Sequence, residues 1–183
     1  MSKNVFQFTG LSGVGKSTLS LAVSEKLRAK GYKVTVLDGD ELRKTISADL
    51  GFSEIDRLTH LKRVAQLAAT VNADIVLIAV INPYEKGRQL FRDYANAKLI
   101  WLRCSIEVLR HRDTKGLYQR AFLPDDHPDK LSNLTGINAP FEYPEQADLI
   151  IDTDRLEIHE AAKLIVRRIL LGKMNSQEVT ISR

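Results

Sequence analysis

The 183-residue sequence predicts an α/β fold, a parallel five-stranded sheet with helices on both faces. Two observations carry this expectation. Five short apolar runs alternate with stretches of helical periodicity, which is the order of repeated strand–helix crossovers. The first run also passes directly into a glycine-rich turn that opens a helix. A single domain is expected over residues 1–172, followed by a polar, frayed tail at 173–183.

Strands are expected at residues 4–9, 33–37, 74–81, 98–103 and 148–151. The first helix spans about 17–30 and is closed by Gly31, where a left-handed C-cap is easiest. A second starts after Ser53 as N-cap, with Ile55, Leu58, Leu61, Ala65 and Ala68 recurring at intervals of three and four and Arg57, His60 and Arg63 on the opposite flank. Further helices are expected at about 84–95, 105–112 and 157–171. Residues 113–144 break the alternation: they hold Pro124, Pro128, Pro140 and Pro144 and little periodicity. So long a connection inside a compact domain reads as a lid, and it carries Lys115 and Arg120 close behind Arg110 and Arg112.

Composition excludes several classes. The single cysteine, Cys104, rules out an intramolecular disulfide and reads as a small buried apolar residue, and no Cys/His cluster suggests a metal centre. The longest apolar run, 75–81, falls far short of the ~20 residues that cross a bilayer. The N-terminus enters the first strand without an apolar secretion signal, so a cytoplasmic location is expected. A net charge of +4 suits an anionic ligand only weakly, and no basic stripe with interleaved aromatics points to nucleic acid.

Chemistry enters at Gly10-Leu11-Ser12-Gly13-Val14-Gly15-Lys16-Ser17, which satisfies G-x-x-x-x-G-K-[ST] between a strand and a helix. Glycines let successive N–H groups face phosphate oxygens while the helix start adds its dipole. Lys16 can reach the β and γ phosphates and the Ser17 hydroxyl can ligate Mg²⁺, so the expected ligands are ATP or a similar triphosphate with Mg²⁺. The most hydrophobic strand runs through Ile81 into Asn82 without a carboxylate. The second strand instead ends in Leu37-Asp38-Gly39-Asp40, where ligands of open α/β sheets gather. These aspartates can hold a metal-bound water, orient an acceptor hydroxyl, or cap the turn before Glu41-Leu42-Arg43. No Asn-Lys-x-Asp segment reads guanine, which disfavours a GTPase.

From about Phe8 to Thr153 the sequence resembles the adenylylsulfate (APS) kinases, P-loop kinases of three-layer fold that transfer the ATP γ-phosphate to the 3′-hydroxyl of adenosine 5′-phosphosulfate, giving PAPS. The shared pieces are residues 9–18, Leu37-Asp38-Gly39-Asp40 with Arg43, Leu50-Gly51-Phe52-Ser53 with Asp56-Arg57, Asn82-Pro83-Tyr84 with Arg88, Arg112-Asp113-Thr114-Lys115-Gly116-Leu117-Tyr118, and Thr135-Gly136-Ile137 leading to Pro140-Phe141-Glu142. The resemblance implies that Gly10, Ser12, Gly13, Val14, Gly15, Lys16, Ser17, Thr18 and Arg112 bind ATP, and that Ser17 and Asp38 hold Mg²⁺. It implies catalytic roles for Lys16, Asp38 and Asp40. Asp40, Arg43, Phe52, Arg57, His60, Ile81, Asn82, Arg88, Lys115, Leu134 and Gly136 would serve the acceptor: Arg43 and Arg57 grip its anionic end, Phe52 stacks on its base and Arg88 supports the binding loop. The family often forms dimers.

The departures lie on the acceptor side. Leu134 stands where the family has a Phe forming a second aromatic wall; such stacking is worth ~1–3 kcal/mol, of which leucine keeps part. His60 replaces an Asn and would charge near pH 6.5 if unperturbed. Asn82 replaces a serine that is phosphorylated in some members, leaving direct in-line transfer. A kinase for the ribose hydroxyl of another activated nucleotide, such as a cytidine conjugate, is the nearest rival, and a non-catalytic nucleotide-sensing module is the rival of a different class.

Overall fold

A computed structural model describes residues 3–172 and the backbone of 177–179. The strands are β1 (Asn4–Thr9), β2 (Val34–Asp38), β3 (Ile75–Ala79), β4 (Lys98–Arg103), β5 (Leu149–Asp152) and β6 (Gln177–Val179). They form one parallel sheet in the order β2-β3-β1-β4-β5-β6. All five expected strands are present. The short β6 adds to the β5 edge through main-chain pairing, so the tail expected to be polar and frayed is ordered at 177–179; the rest of it lies outside the described residues.

The helices are α1 (Lys16–Arg28), α2 (Gly39–Lys44), α3 (Glu54–Thr70), α4 (Glu85–Ala95), α5 (Ile106–Arg112), α6 (Leu117–Ala121) and α7 (Ile158–Leu170). Alternation along β1 splits the core in two, since successive strand residues face opposite sides. Phe6 and Phe8 pack with Leu77, Ile100 and Leu102 under α1 and α7, through Leu19, Val23, Leu27, Ile165 and Val166. Val5, Val76 and Ile78 pack on the other face under α3 and α4, through Leu61, Val64, Ala65, Ala68 and Phe91. Each such large side chain contributes roughly 1.5–3 kcal/mol by leaving water.

Three local readings change. In α3 the buried stripe is Leu61, Val64, Ala65 and Ala68; Ile55 is 76% exposed, burial in this helix beginning only at His60, which is buried rather than on the solvent flank. Residues 39–44 form α2, capped by Asp38, whose Oδ1 accepts from the N–H of Asp40 at 2.9 Å and of Glu41 at 3.4 Å. Inside the 113–144 connection, Asp113 accepts from the N–H groups of Tyr118 and Gln119 and starts α6, whose five residues are too few to show a period. Among the described residues, no helix is long and apolar enough to cross a membrane.

Thr9, Asp38 and Ala79 end three adjacent strands at one edge. With β3 on one side of β1 and β4 on the other, the chain leaves this edge in opposite directions and a crevice opens there.

Candidate active site

The glycine turn leaves β1 at Gly10 and enters α1 at Lys16. Gly10 has φ 145°, and a Cβ there would lie 2.4 Å from the carbonyl oxygen of Leu102, so only glycine lets the turn pack against β4. Gly13 and Gly15, at φ 76° and 97°, keep the turn open. From the far side, the Tyr118 hydroxyl donates to the Ser12 carbonyl at 2.8 Å and ties α6 to the turn; burial pushes this phenol up to about 12.

Lys16 folds back over the turn, donating from Nζ to the carbonyls of Gly10 at 2.9 Å and Leu11 at 2.8 Å. Burial pulls its ammonium down to about 8, opposed by the Asp40 and Asp38 carboxylates and reinforced by Lys115. Next to it the Ser17 hydroxyl donates to Oδ2 of Asp38 at 2.5 Å, while Oδ1 caps α2. Of the roles its sequence context allowed, Asp38 is seen to cap the turn, and its second oxygen bonds Ser17. Among the described residues no three His, Cys, Asp or Glu side chains gather as a metal cluster. One hydroxyl and one carboxylate, both hard oxygen donors, nevertheless fit Mg²⁺, which takes few protein ligands and completes its shell with water and phosphate.

Asp40 meets the connection above it: Lys115 Nζ stands 2.8 Å from its Oδ2. Burial opposes ionisation of Asp40, but Lys115 beside it, with Lys16 and Lys44 further off, holds the carboxyl below the usual range. Arg112 turns the same way, donating to the Thr153 carbonyl at 2.7 Å. The other two arginines of this region do not. Arg110 lies 4.2 Å over the Phe122 ring and Arg120 donates to the Asp129 carbonyl.

A cleft of about 890 Å³ runs along these groups, within the range of small-molecule sites. Its walls include residues 12–19, Asp38, Asp40, Arg112, Lys115 and Leu134. They also include the strip 153–158 after β5, which sequence reading overlooked; the carboxyl end of a parallel strand leading into a helix was the signal that could have found it. A smaller pocket of about 110 Å³ opens beside it, lined by Arg43, His60, Asn82 and Pro83 together with Asp40, Phe52, Arg57 and Ile81, which both cavities share.

In the smaller pocket the guanidinium carbons of Arg43 and Arg57 lie 4.9 and 5.8 Å from the Phe52 ring centroid, while the ring stays 61% exposed. Arg43 also donates to the Gly51 carbonyl. Arg57 donates to Phe52 O at 2.9 Å, Thr135 Oγ1 at 3.0 Å and Asn133 O at 3.0 Å, so it links α3 to the 133–135 segment of the cleft wall. His60 is set against Ser47, Nδ1 to Oγ 2.9 Å. Burial, with Arg43 nearby, pulls this imidazole down to about 4, so it is neutral near pH 6.5 where the unperturbed ring would charge.

Gly10, Arg88 and Gly136 line neither cavity. Arg88 is fully buried and bonds Glu85 Oε2 at 2.7 Å and the Asn82 carbonyl at 3.3 Å, bracing the loop between β3 and α4. Gly136, at φ 86°, lies against Leu11, whose Cδ2 would be 2.4 Å from an added Cβ. Asn82 adopts φ 42° and is buried, its side-chain nitrogen and oxygen having no hydrogen-bond partner among the described residues. Leu134 is buried in the α1-side core and only its edge reaches the cleft. Cys104 is partly buried, and burial raises its thiol.

Comparison with known proteins supplies the family. The family model described as adenylylsulphate kinase matches residues 2–152. The adenylyl-sulfate kinase of Geotalea uraniireducens (strain Rf4) is 40% identical over 168 residues, covering 89% of this chain and 78% of that one. The adenylyl-sulfate kinase of Paraburkholderia xenovorans (strain LB400) is 38% identical over 176 residues, covering 93% and 96%. The structure of the Mycobacterium tuberculosis APS kinase CysC in complex with AMPPNP and APS superimposes with a TM-score of 0.83 at 34% identity, covering 92% of this chain and 98% of that one. A shikimate kinase from Acinetobacter baumannii shares the fold at 21% identity, with a TM-score of 0.63. A glycine turn with its lysine, two carboxylates at the end of β2 and a family match over most of the sequence agree: the chain belongs to the adenylylsulphate kinase family.

Proposed function

We propose that the protein transfers the γ-phosphate of ATP to the 3′-hydroxyl of adenosine 5′-phosphosulfate. The observation that carries this reading is the position of Asp40, which lines both cavities at their junction. ATP would lie in the larger cleft with its phosphates on the main-chain N–H groups of residues 13–18 and its base toward Arg112 and the 153–158 strip. The acceptor's anionic end would enter the smaller pocket between Arg43 and Arg57, whose forks suit phosphate and sulfate oxygens.

Lys16 would leave the carbonyls of Gly10 and Leu11 for the β and γ phosphates. Asp40, held ionised by Lys115, would accept a hydrogen bond from the ribose hydroxyl and take its proton as the oxygen meets phosphorus. A weak base suffices, because a loose transition state depends on alignment and charge neutralisation. Ser17 and Asp38 would hold Mg²⁺, which when bound neutralises charge on the phosphates. Asn82 carries no hydroxyl, so the acceptor oxygen attacks directly.

Coupled ADP-release kinetics with APS and with CDP- and UDP-linked compounds test this. Saturable turnover with a clear preference for APS is expected. Preference for a cytidine conjugate would favour the rival reading, to which the burial of Leu134 and the single exposed ring of Phe52 lend support. Absence of any Mg²⁺-dependent transfer by protein that binds ATP would leave a sensing module, against which Lys16, Ser17, Asp38 and Asp40 all stand at the cleft.

A further inference from the structure

We propose that Ser47 is a positioning residue for the acceptor: its hydroxyl donates to Nδ1 of His60, fixes the ring as the Nε2–H tautomer and aims that N–H at an anionic oxygen in the smaller pocket. The inference rests on the acceptor reading above, since it assumes that a phosphate or sulfate group enters between Arg43 and Arg57.

Ser47 is fully buried in the turns between α2 and α3, and among the described residues its Oγ has one hydrogen-bond partner, His60 Nδ1 at 2.9 Å. Two arrangements are open to such a pair. If Nδ1–H donated to Oγ, the serine proton would have no acceptor in a place that water does not reach. If the serine donates, Nδ1 accepts, every polar atom of the buried half is satisfied and the ring's one proton sits on Nε2. Because an unmade buried hydrogen bond costs more than a made one contributes, the second arrangement prevails.

The other side of the ring faces the ligand. His60 lines the smaller pocket with Asp40, Arg43, Arg57 and Asn82. Its Nε2 bonds no protein group among the described residues, yet it is not among the fully buried unpaired atoms, so it keeps accessible surface on a ring that lines the smaller pocket. The charged groups around the ring are Arg43 and Asp40 on α2 and Arg63 on α3, with Arg57 three residues before His60 on α3 also lining the pocket. Two cations already face the entering anion, and burial with Arg43 keeps His60 uncharged. The ring therefore supplies a neutral N–H as a third donor without adding a like charge beside the arginines. It would act on binding and alignment of the acceptor, not on the phosphoryl group.

Long-range proton–nitrogen spectra of histidine-labelled protein read the tautomer directly, with His60→Gln assigning the signal among the four histidines. The wild type should show Nε2–H, and Ser47→Ala should show a tautomer mixture. In kinetics, Ser47→Ala should raise KM for APS about tenfold while kcat and KM for ATP stay within about twofold. In a His60→Gln background, where the amide N–H needs no serine, Ser47→Ala should change KM for APS by less than about twofold. Ser47→Thr, which keeps the hydroxyl, should recover most of the affinity. An Nδ1–H tautomer in the wild type overturns the proposal, as does an equal Ser47→Ala effect in both backgrounds. Should the wild type not turn over APS, the acceptor reading fails by itself; titration with inorganic sulfate then still decides, an Nε2 shift lost in Ser47→Ala upholding the positioning role and an unchanged shift overturning it.

Discussion

The Lys115 ammonium stands 2.8 Å from Oδ2 of Asp40, joining the 113–144 connection to the end of β2 where the two cavities meet. Both side chains are largely exposed, at 61% and 67%, so water screens the pair and its share of folding stability is at most about 1 kcal/mol. Its consequence is local: it holds Asp40 ionised and it crowds Lys16 with a second positive charge.

Lys115→Ala should therefore separate activity from stability. Thermal unfolding should shift by no more than about 4 °C, while kcat/KM falls roughly tenfold to a hundredfold through lost charge complementarity at the proposed transfer site. An equal loss of both would mean that the pair serves the fold.

The pH profile carries the sign of these couplings. In its proposed role Lys16 must be protonated to bind phosphate, and burial brings its ammonium down to about 8, so kcat/KM for ATP should fall as pH rises through that value. Lys115 lowers the Lys16 value and Asp40 raises it. The alkaline limb should accordingly move up in Lys115→Ala and down in Asp40→Asn, measured under kcat/KM conditions. An unmoved limb in both variants would assign it to another group.

Asp38 has two jobs that substitution can divide. Asp38→Ala removes the partner of Ser17 and the cap of α2, so the Mg²⁺ concentration for half activity should rise about tenfold and Tm should drop by roughly 2–4 °C. Asp38→Asn keeps a capping oxygen and should reproduce the Mg²⁺ effect with little loss of Tm. Activity titrations beside thermal melts check both.

Gly87 is the glycine of α4 that the loop before it requires. A Cβ there would lie 2.2 Å from Asn82 Oδ1 and 2.7 Å from Leu61 Cδ1. Gly87→Ala should destabilise by about 1–3 kcal/mol, despite alanine's better helix propensity, and Asn82→Ser should restore part of the loss. Calorimetry of the single and double variants measures it.

Reading from sequence succeeded where the pattern is local and dense. The strand-turn-helix around Gly10 to Ser17 and the five strand runs stand out because each is fixed by residues adjacent in the chain. It failed where contacts come from afar. Nothing near Ile55 says that burial in α3 begins only at His60, and nothing near His60 announces Ser47, thirteen residues earlier, as its partner. The strip 153–158 joins the cleft only because β5 ends beside β4, a fact of topology and not of spacing. Of the basic residues in and before the 113–144 connection, Lys115 and Arg112 reach the cleft whereas Arg110 and Arg120 turn to Phe122 and Asp129, a division that composition does not encode.

The central claim is that a triphosphate in the larger cleft faces a ribose hydroxyl across Asp40. The most direct test supplies ATP carrying a heavy-oxygen label in its γ-phosphate, together with APS and Mg²⁺, and follows the label by mass spectrometry. Appearance of the whole labelled phosphoryl group as a 3′-phosphomonoester of APS, at a rate greatly reduced in Asp40→Asn, is the predicted result. Label released only as inorganic phosphate, with APS unchanged, would contradict it.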